Sequence, residues 1–178
     1  MIDMKSTLSS ARQLEMVMTG GVVILLLALL GFALASVADA LAVGARLVTL
    51  GGYDATGLQL WQSWAIIAIV CTHLSLWGAV FWTGRTLFGR LAHGAPTAAS
   101  KAAMHVAWLL WGILIWGLIS QALLSVSATW HYPDGMRSLS ISLGTSQLST
   151  ALAALIASFM ARAFSLGAEL WQDHVEIV

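Results

Sequence analysis

The stretch that decides the fold is Val22-Val23-Ile24-Leu25-Leu26-Leu27-Ala28-Leu29-Leu30-Gly31-Phe32-Ala33-Leu34, thirteen residues without a polar side chain. Extended to both sides, the apolar segment runs from about Met16 to Val43. A helix crossing a bilayer needs about 20 mainly apolar residues, because the hydrocarbon is roughly 30 Å thick and a helix rises about 1.5 Å per residue. Three further segments qualify, about Gln62 to Trp82, Ala102 to Leu124 and Gln147 to Gly167. The sequence therefore predicts an all-α integral membrane protein, a single domain over residues 1–178 built as a four-transmembrane-helix bundle.

Composition agrees. Of 178 residues, 59% are hydrophobic and 9% charged, whereas a soluble domain averages about 45–50% apolar and about 25% charged. Eight basic and eight acidic residues cancel, so no basic surface points to nucleic acid. The single cysteine, Cys71, excludes an intramolecular disulfide and a cysteine-only metal cage, and it falls in an apolar run where a small buried hydrophobe is expected. Lys5, Arg12 and Ala38-Asp39-Ala40 imitate a signal peptide, but the apolar core exceeds the 7–15 residues of a signal, so a retained helix is expected.

Orientation follows from the basic residues flanking the spans. Lys5, Arg12, Arg85, Arg90, Lys101 and Arg162 fall on one side, and only Arg46 and Arg137 on the other. The expectation is a bacterial inner-membrane protein with both termini in the cytoplasm. Trp61, Trp64 and Trp130 then stand near the outer boundary, and Trp82 and Trp171 near the inner one, as an interfacial belt requires.

The outer loops carry their own pattern. Gly51-Gly52-Tyr53-Asp54 signals a turn, and apolar residues alternate through Gly57-Leu58-Gln59-Leu60. In the second loop, Tyr132-Pro133-Asp134-Gly135 is a turn, and Ser138-Leu139-Ser140-Ile141-Ser142-Leu143 alternates strictly, a strand pattern. Short extended segments capping the outer face are predicted. In the fourth span, Gln147, Ala151, Ala154, Ser158, Ala161, Ser165 and Ala168 form one small-residue stripe. Membrane helices associate by close backbone approach, so this stripe should face the bundle. The first span, featureless from Val22 to Leu34, should be the most exposed to lipid.

Ionisable or polar groups inside a membrane are the usual functional candidates. His73 lies mid-span with Trp77 one turn on. A neutral histidine hydrogen-bonded to a neighbouring helix is the plain reading, and haem ligation the sharper one. His105 is the obvious second ligand, but it sits about 12 Å from His73 along the membrane normal, and axial ligands must share one depth. Asp39 is placed to accept from Gln62, Gln121 or Arg46 in an outer polar cluster, and Arg162 to reach the inner interface or meet Glu15 or Glu169. His131 with Asp134, and His174 with Asp173 and Glu176, lack the spacing of a zinc site. There is no phosphate loop, nucleophile elbow or carboxylate dyad, so neither enzymatic activity nor a cofactor is expected.

Three stretches resemble a known family: Arg85-Thr86-Leu87-Phe88-Gly89-Arg90-Leu91-Ala92-His93-Gly94-Ala95-Pro96-Thr97, Leu139-Ser140-Ile141-Ser142-Leu143-Gly144, and Ala163-Phe164-Ser165-Leu166-Gly167-Ala168-Glu169-Leu170 with the tail Val175-Glu176-Ile177-Val178. Over roughly its last 100 residues the chain resembles the bacterial membrane family catalogued as domain of unknown function 2975. Trp171 and His174 depart from the glutamate-rich tail of that family. The resemblance implies four membrane helices and, since some members are encoded beside small helix-turn-helix regulators, a cytoplasmic regulatory protein as partner. From the residues themselves, the leading expectation is a non-enzymatic membrane protein that engages a partner through the loop Thr83–Ser100 and the short tail after Gly167. A homo-oligomer is an open possibility through the small-residue stripe. The alternative is a small carrier with a polar cavity lined by His73, Asp39, Arg162 and Gln121, and a haem or quinone protein stands third.

Overall fold

A computed structural model describes residues 4–133 and 135–176, with side chains for 9–95, 97–133 and 135–167. Five helices follow in order: α1 (Met4–Ala38), α2 (Ala40–Leu50), α3 (Leu60–Ala92), α4 (Pro96–Thr129) and α5 (Thr145–Glu176). The stretches Ser9–Ala38, Leu60–Ala92, Thr97–Thr129 and Thr145–Gly167 are each long and apolar enough to cross a membrane. The chain is a multi-pass helical membrane protein, and its four long helices form the expected bundle. A helix satisfies its backbone hydrogen bonds internally, which is why these runs take that form where no water is available. The helices also run past the apolar limits read from the sequence, because that self-sufficiency does not end at the hydrocarbon edge.

The first span does not continue to Val43. It stops at Ala38, and Asp39 leaves the helical region (φ −154°, ψ 87°) while its carboxylate accepts the amide of Ala42 at 2.9 Å. Aspartate is a favoured N-cap because its short side chain reaches an orphaned amide of the next turn. A new helix, α2, therefore starts at Ala40. Its buried residues Ala40, Gly44 and Val48 repeat every four positions. At Gly44 the backbone comes so close to α3 that an added Cβ would lie 2.8 Å from Ser63 Cα and would collide with Ser63 Oγ and Cβ.

The four spans pack in series. α1 lies on α3, α3 on α4, and α4 on α5, while α2 rests on α3. Glycines set the first interface: Gly21 lies under the Phe81 ring and Gly84 under the Met18 sulfur. The last interface uses the small-residue stripe as expected. Ala154 and Ala161 are buried, and Ser158 accepts the Trp111 indole N–H at 3.2 Å. Leu148, Leu152, Leu155, Ile156 and Phe159 of the same helix are exposed, as are Leu26, Leu27, Leu30 and Leu34 of α1.

No strand forms among the described residues. The turn at Gly51–Gly52 is present, with Gly52 at φ +81°, where a side chain would be strained. The alternation after Gly57 is not a strand: Gln59 caps α3, its amide bonded to Gln62 Oε1 at 2.7 Å. Ser138–Leu143 lies along α4 instead of in a sheet. The amides of Ser138, Ser140 and Ser142 donate to Thr129 Oγ1 (3.1 Å), Ser125 Oγ (3.0 Å) and Gln121 Oε1 (2.9 Å). Two residues of extended chain advance about 6.6 Å. Four residues of helix advance about 6 Å. That near-equality lets alternate amides meet side chains one helical turn apart.

Candidate functional site

The bundle has two ends. One carries α2, the loop at Tyr53–Gln59 and the α4–α5 connection (the α2 end). The other carries the start of α1, the end of α5 and the turn between α3 and α4 (the termini end).

At the termini end, α3 continues past its apolar run and closes on α4 through a tight turn with Gly94 at φ +69°. Arg90 donates to the Ala98 carbonyl at 2.8 Å, and His93 donates Nδ1–H to the Gly89 carbonyl at 2.6 Å. Both bonds rigidify the turn, and that of His93 leaves Nε2 unbonded among the described residues. Arg85 stacks over the exposed Trp82 ring, 5.4 Å from its centroid, a cation–π arrangement. Glu15 of α1 leans across Gly89, where an added Cβ would lie 3.2 Å from its Oε1. Glu15, Trp82, Arg85, Thr86, Gly89, Arg90, His93 and Ala95 thus enclose an open cleft of about 390 Å³. It offers two guanidinium groups, an imidazole and an indole against a single carboxylate. Arg85 and Arg90 entered the sequence reading as orientation signals and as members of the partner-binding loop Thr83–Ser100, and Trp82 only as a belt residue. Their convergence depends on the helical spacing of 82, 85, 86, 89 and 90, which puts them on one face.

The four polar candidates of the sequence reading are not brought together. His73 accepts the Trp77 indole N–H on Nε2 at 3.3 Å, so the bond is to its own helix one turn on rather than to a neighbour. Its ring lines a groove of about 240 Å³ with Trp77, Gly117, Ser146, Gln147 and Thr150, between α3 and the first turn of α5 over α4. His105 is exposed on α4, well short of Ile113, Leu114 and Gly117 that line the groove with His73, and so about 12–18 Å from that level. Asp39 is the cap of α2 and does not join a cluster with Gln62, Gln121 or Arg46. Arg162 is exposed and makes no hydrogen bond or ion pair among the described residues. α1 packs on α3 and α5 on α4, so Glu15 is not its neighbour, and the side chain of Glu169 lies outside the described ones.

Gln121 holds the extended segment, accepting from both the amide and the hydroxyl of Ser142 (2.9 and 3.0 Å). With Leu47, Val48, Tyr53, Ile66, Ser125 and Ser140 it borders a cavity of about 280 Å³ at the α2 end. Nearby, the fully buried Gln62 bridges α3 to α4. It donates to the Ser127 carbonyl at 2.9 Å and lies 3.4 Å from His131 Nδ1. His131 Nε2 is buried without a partner among the described residues. Tyr132 accepts the Asp54 amide at 2.9 Å and stacks edge-on against His131. The groups at this end thus work mainly as fasteners between loops and helices. No cluster of three or more metal-ligating side chains occurs among the described residues. Asp134, Asp173, His174 and Glu176 lie outside the described side chains.

No family model, curated protein or solved structure matches this chain.

Proposed function

We propose that this is a non-enzymatic protein of a bacterial inner membrane, with both termini in the cytoplasm, that engages a regulatory partner at its termini end. The cleft around Arg85 and Arg90 carries the reading. It is preorganised by the Arg90–Ala98 and His93–Gly89 bonds, and it combines cations with an exposed indole at the side where basic residues accumulate. A partner suited to it presents carboxylates beside an apolar anchor, since arginine forks bind carboxylates in two-pronged fashion and an indole takes the anchor. The resemblance of the Arg85–Thr97 stretch to a family with regulator-linked members points the same way. The carrier alternative has less support, because His73, Asp39, Arg162 and Gln121 have four separate surroundings.

The test is a photo-cross-linking amino acid at Thr86 in living cells, with one at Leu152 as a lipid-facing control. A discrete protein adduct at Thr86, absent at Leu152 and reduced by Arg85→Glu, is expected. Adducts to lipid alone, or the same adducts at both positions, would overturn the proposal.

A further inference from the structure

The extended segment Ser138–Leu143 has two edges, and only one is used. In extended chain, successive residues aim their N–H and C=O groups to opposite sides. Ser138, Ser140 and Ser142 aim their amides at α4. Leu139, Ile141 and Leu143 aim theirs away, and these have no partner among the described residues. Their side chains are 69%, 59% and 82% exposed. An extended edge with free amides and aliphatic side chains is a template for another strand.

Its depth sharpens the point. Trp61 and Trp130 meet edge-to-face, ring centroids 6.2 Å apart, beside the first rung at Thr129. Tryptophans are enriched at membrane interfaces, which fits this pair near the α2 end. The last rung, Gln121, is eight residues further along α4, about 12 Å along the helix toward the middle of the bundle. Unpaired backbone groups are disfavoured wherever lipid keeps water away, so this edge favours a partner where the bundle enters the bilayer.

The edge itself indicates what covers it. An antiparallel copy placed about a two-fold axis at Ile141 sets Ile141 opposite Ile141 and Leu139 opposite Leu143. In antiparallel pairing, facing residues that exchange both hydrogen bonds sit about 5.5 Å apart. The residues so placed are the ones whose N–H and C=O groups point outward. One register therefore satisfies every free amide and carbonyl of the three and gathers the aliphatic side chains of both copies on one face. A slip by one residue would present amides already bonded to α4. No charged residue between Ser138 and Gly144 opposes the approach. We propose that a second copy of this chain pairs here, antiparallel through Ser138–Leu143, forming an isologous dimer. This does not rest on the termini-end reading.

The experiment uses the full chain in membranes with Cys71→Ala and single introduced cysteines. Ile141→Cys is expected to form a disulfide dimer on oxidation. Leu139→Cys and Leu143→Cys should each stay monomeric alone and cross-link when co-expressed. An Ile141→Cys chain that stays monomeric, or a Leu139→Cys chain that dimerises alone as well as with its complement, would overturn the proposal. Ile141→Pro gives an independent reading, since it removes an outward amide that no contact within one copy uses. It should weaken the dimer in detergent at least about tenfold, which is roughly 1.4 kcal/mol, without lowering the melting temperature of the monomer. A dimer unaffected by that change, or an unsubstituted chain that is monomeric in both membrane and detergent, would equally sink the idea.

Discussion

The amide of Ser140 donates to the hydroxyl of Ser125 across 3.0 Å, joining an extended segment to a helix where a sheet partner would ordinarily stand. The serine hydroxyl in turn donates to the Ala122 carbonyl at 2.9 Å, so it is held in place by its own helix. Ser125→Ala should leave the Ser140 amide without a partner and destabilise the α4–α5 connection by about 1 kcal/mol. Hydrogen exchange at Ser140 should accelerate while the centre of α4 stays protected. Unchanged exchange at Ser140 would mean the ladder does not hold the segment.

Gln62 is fully buried and ties the start of α3 to the end of α4. Gln62→Ala should strand the Gln59 amide and the Ser127 carbonyl, at a cost of about 1–3 kcal/mol for each group left unpaired. A thermal melt in detergent checks this, with Gln59→Ala as the milder comparison because its side chain is exposed.

Gly44 and Gly78 make a matched pair of probes. An added Cβ at Gly44 meets Ser63, backbone included, whereas at Gly78 it meets nothing within 4 Å. Gly44→Ala should push α2 off α3 and destabilise by about 1–3 kcal/mol, the usual range for overpacking. Gly78→Ala should be neutral or slightly stabilising, since alanine favours the helix by about 1 kcal/mol. Equal effects at the two sites would contradict the close α2–α3 approach.

Asp54 lies in the loop at the α2 end, and the amide and hydroxyl of Thr56 donate to it at 2.9 and 2.7 Å. These bonds, with a smaller contribution from His131, hold its pKa below the ordinary value of 3.8. A depressed carboxylate pKa adds stability that is present above the unfolded value and is lost as pH falls through the folded one. Thr56→Val should therefore raise the pKa of Asp54, as followed by carboxyl NMR shifts, and reduce the acid dependence of the loop. The full effect calls for pH below 4.

Orientation is open to direct measurement. An exported phosphatase fused after Gly57 should be active, and one fused after Gly94 should be inactive. The reverse pattern would place the Arg85 cleft outside the cell and remove the basis for a cytoplasmic partner.

Much of the architecture was legible in the residues. Four apolar runs became four spans, and the stripe through Ala154, Ser158 and Ala161 found α4, because periodicity reports which face of a helix avoids lipid. The break at Asp39 was not legible. Apolar residues continue on both sides of it, and only its backbone angles distinguish a cap from a polar group within a span. The alternation at Ser138–Leu143 was read as a strand pattern in an outer cap, whereas no strand forms there and the segment runs along α4, held by side chains of that helix. Hydrophobic patterning says nothing about which acceptors lie opposite, and three side chains one helical turn apart imitate a strand edge. The loop that holds Arg85, Arg90 and His93 was read as a partner-binding region, but the part of Glu15 and Trp82 in the cleft was not, because their approach depends on how α1 packs on α3.

The serial packing of α1, α3, α4 and α5 has a consequence for how the protein is made. Each new span finds its docking face on a span already synthesised, and none must wait for a later one to close the structure. Assembly can keep pace with the ribosome, hairpin after hairpin, without a long-range closing step. A chain halted after Thr129 should already hold α1 to α4 in their final places, with the polar ladder of α4 awaiting the segment that follows.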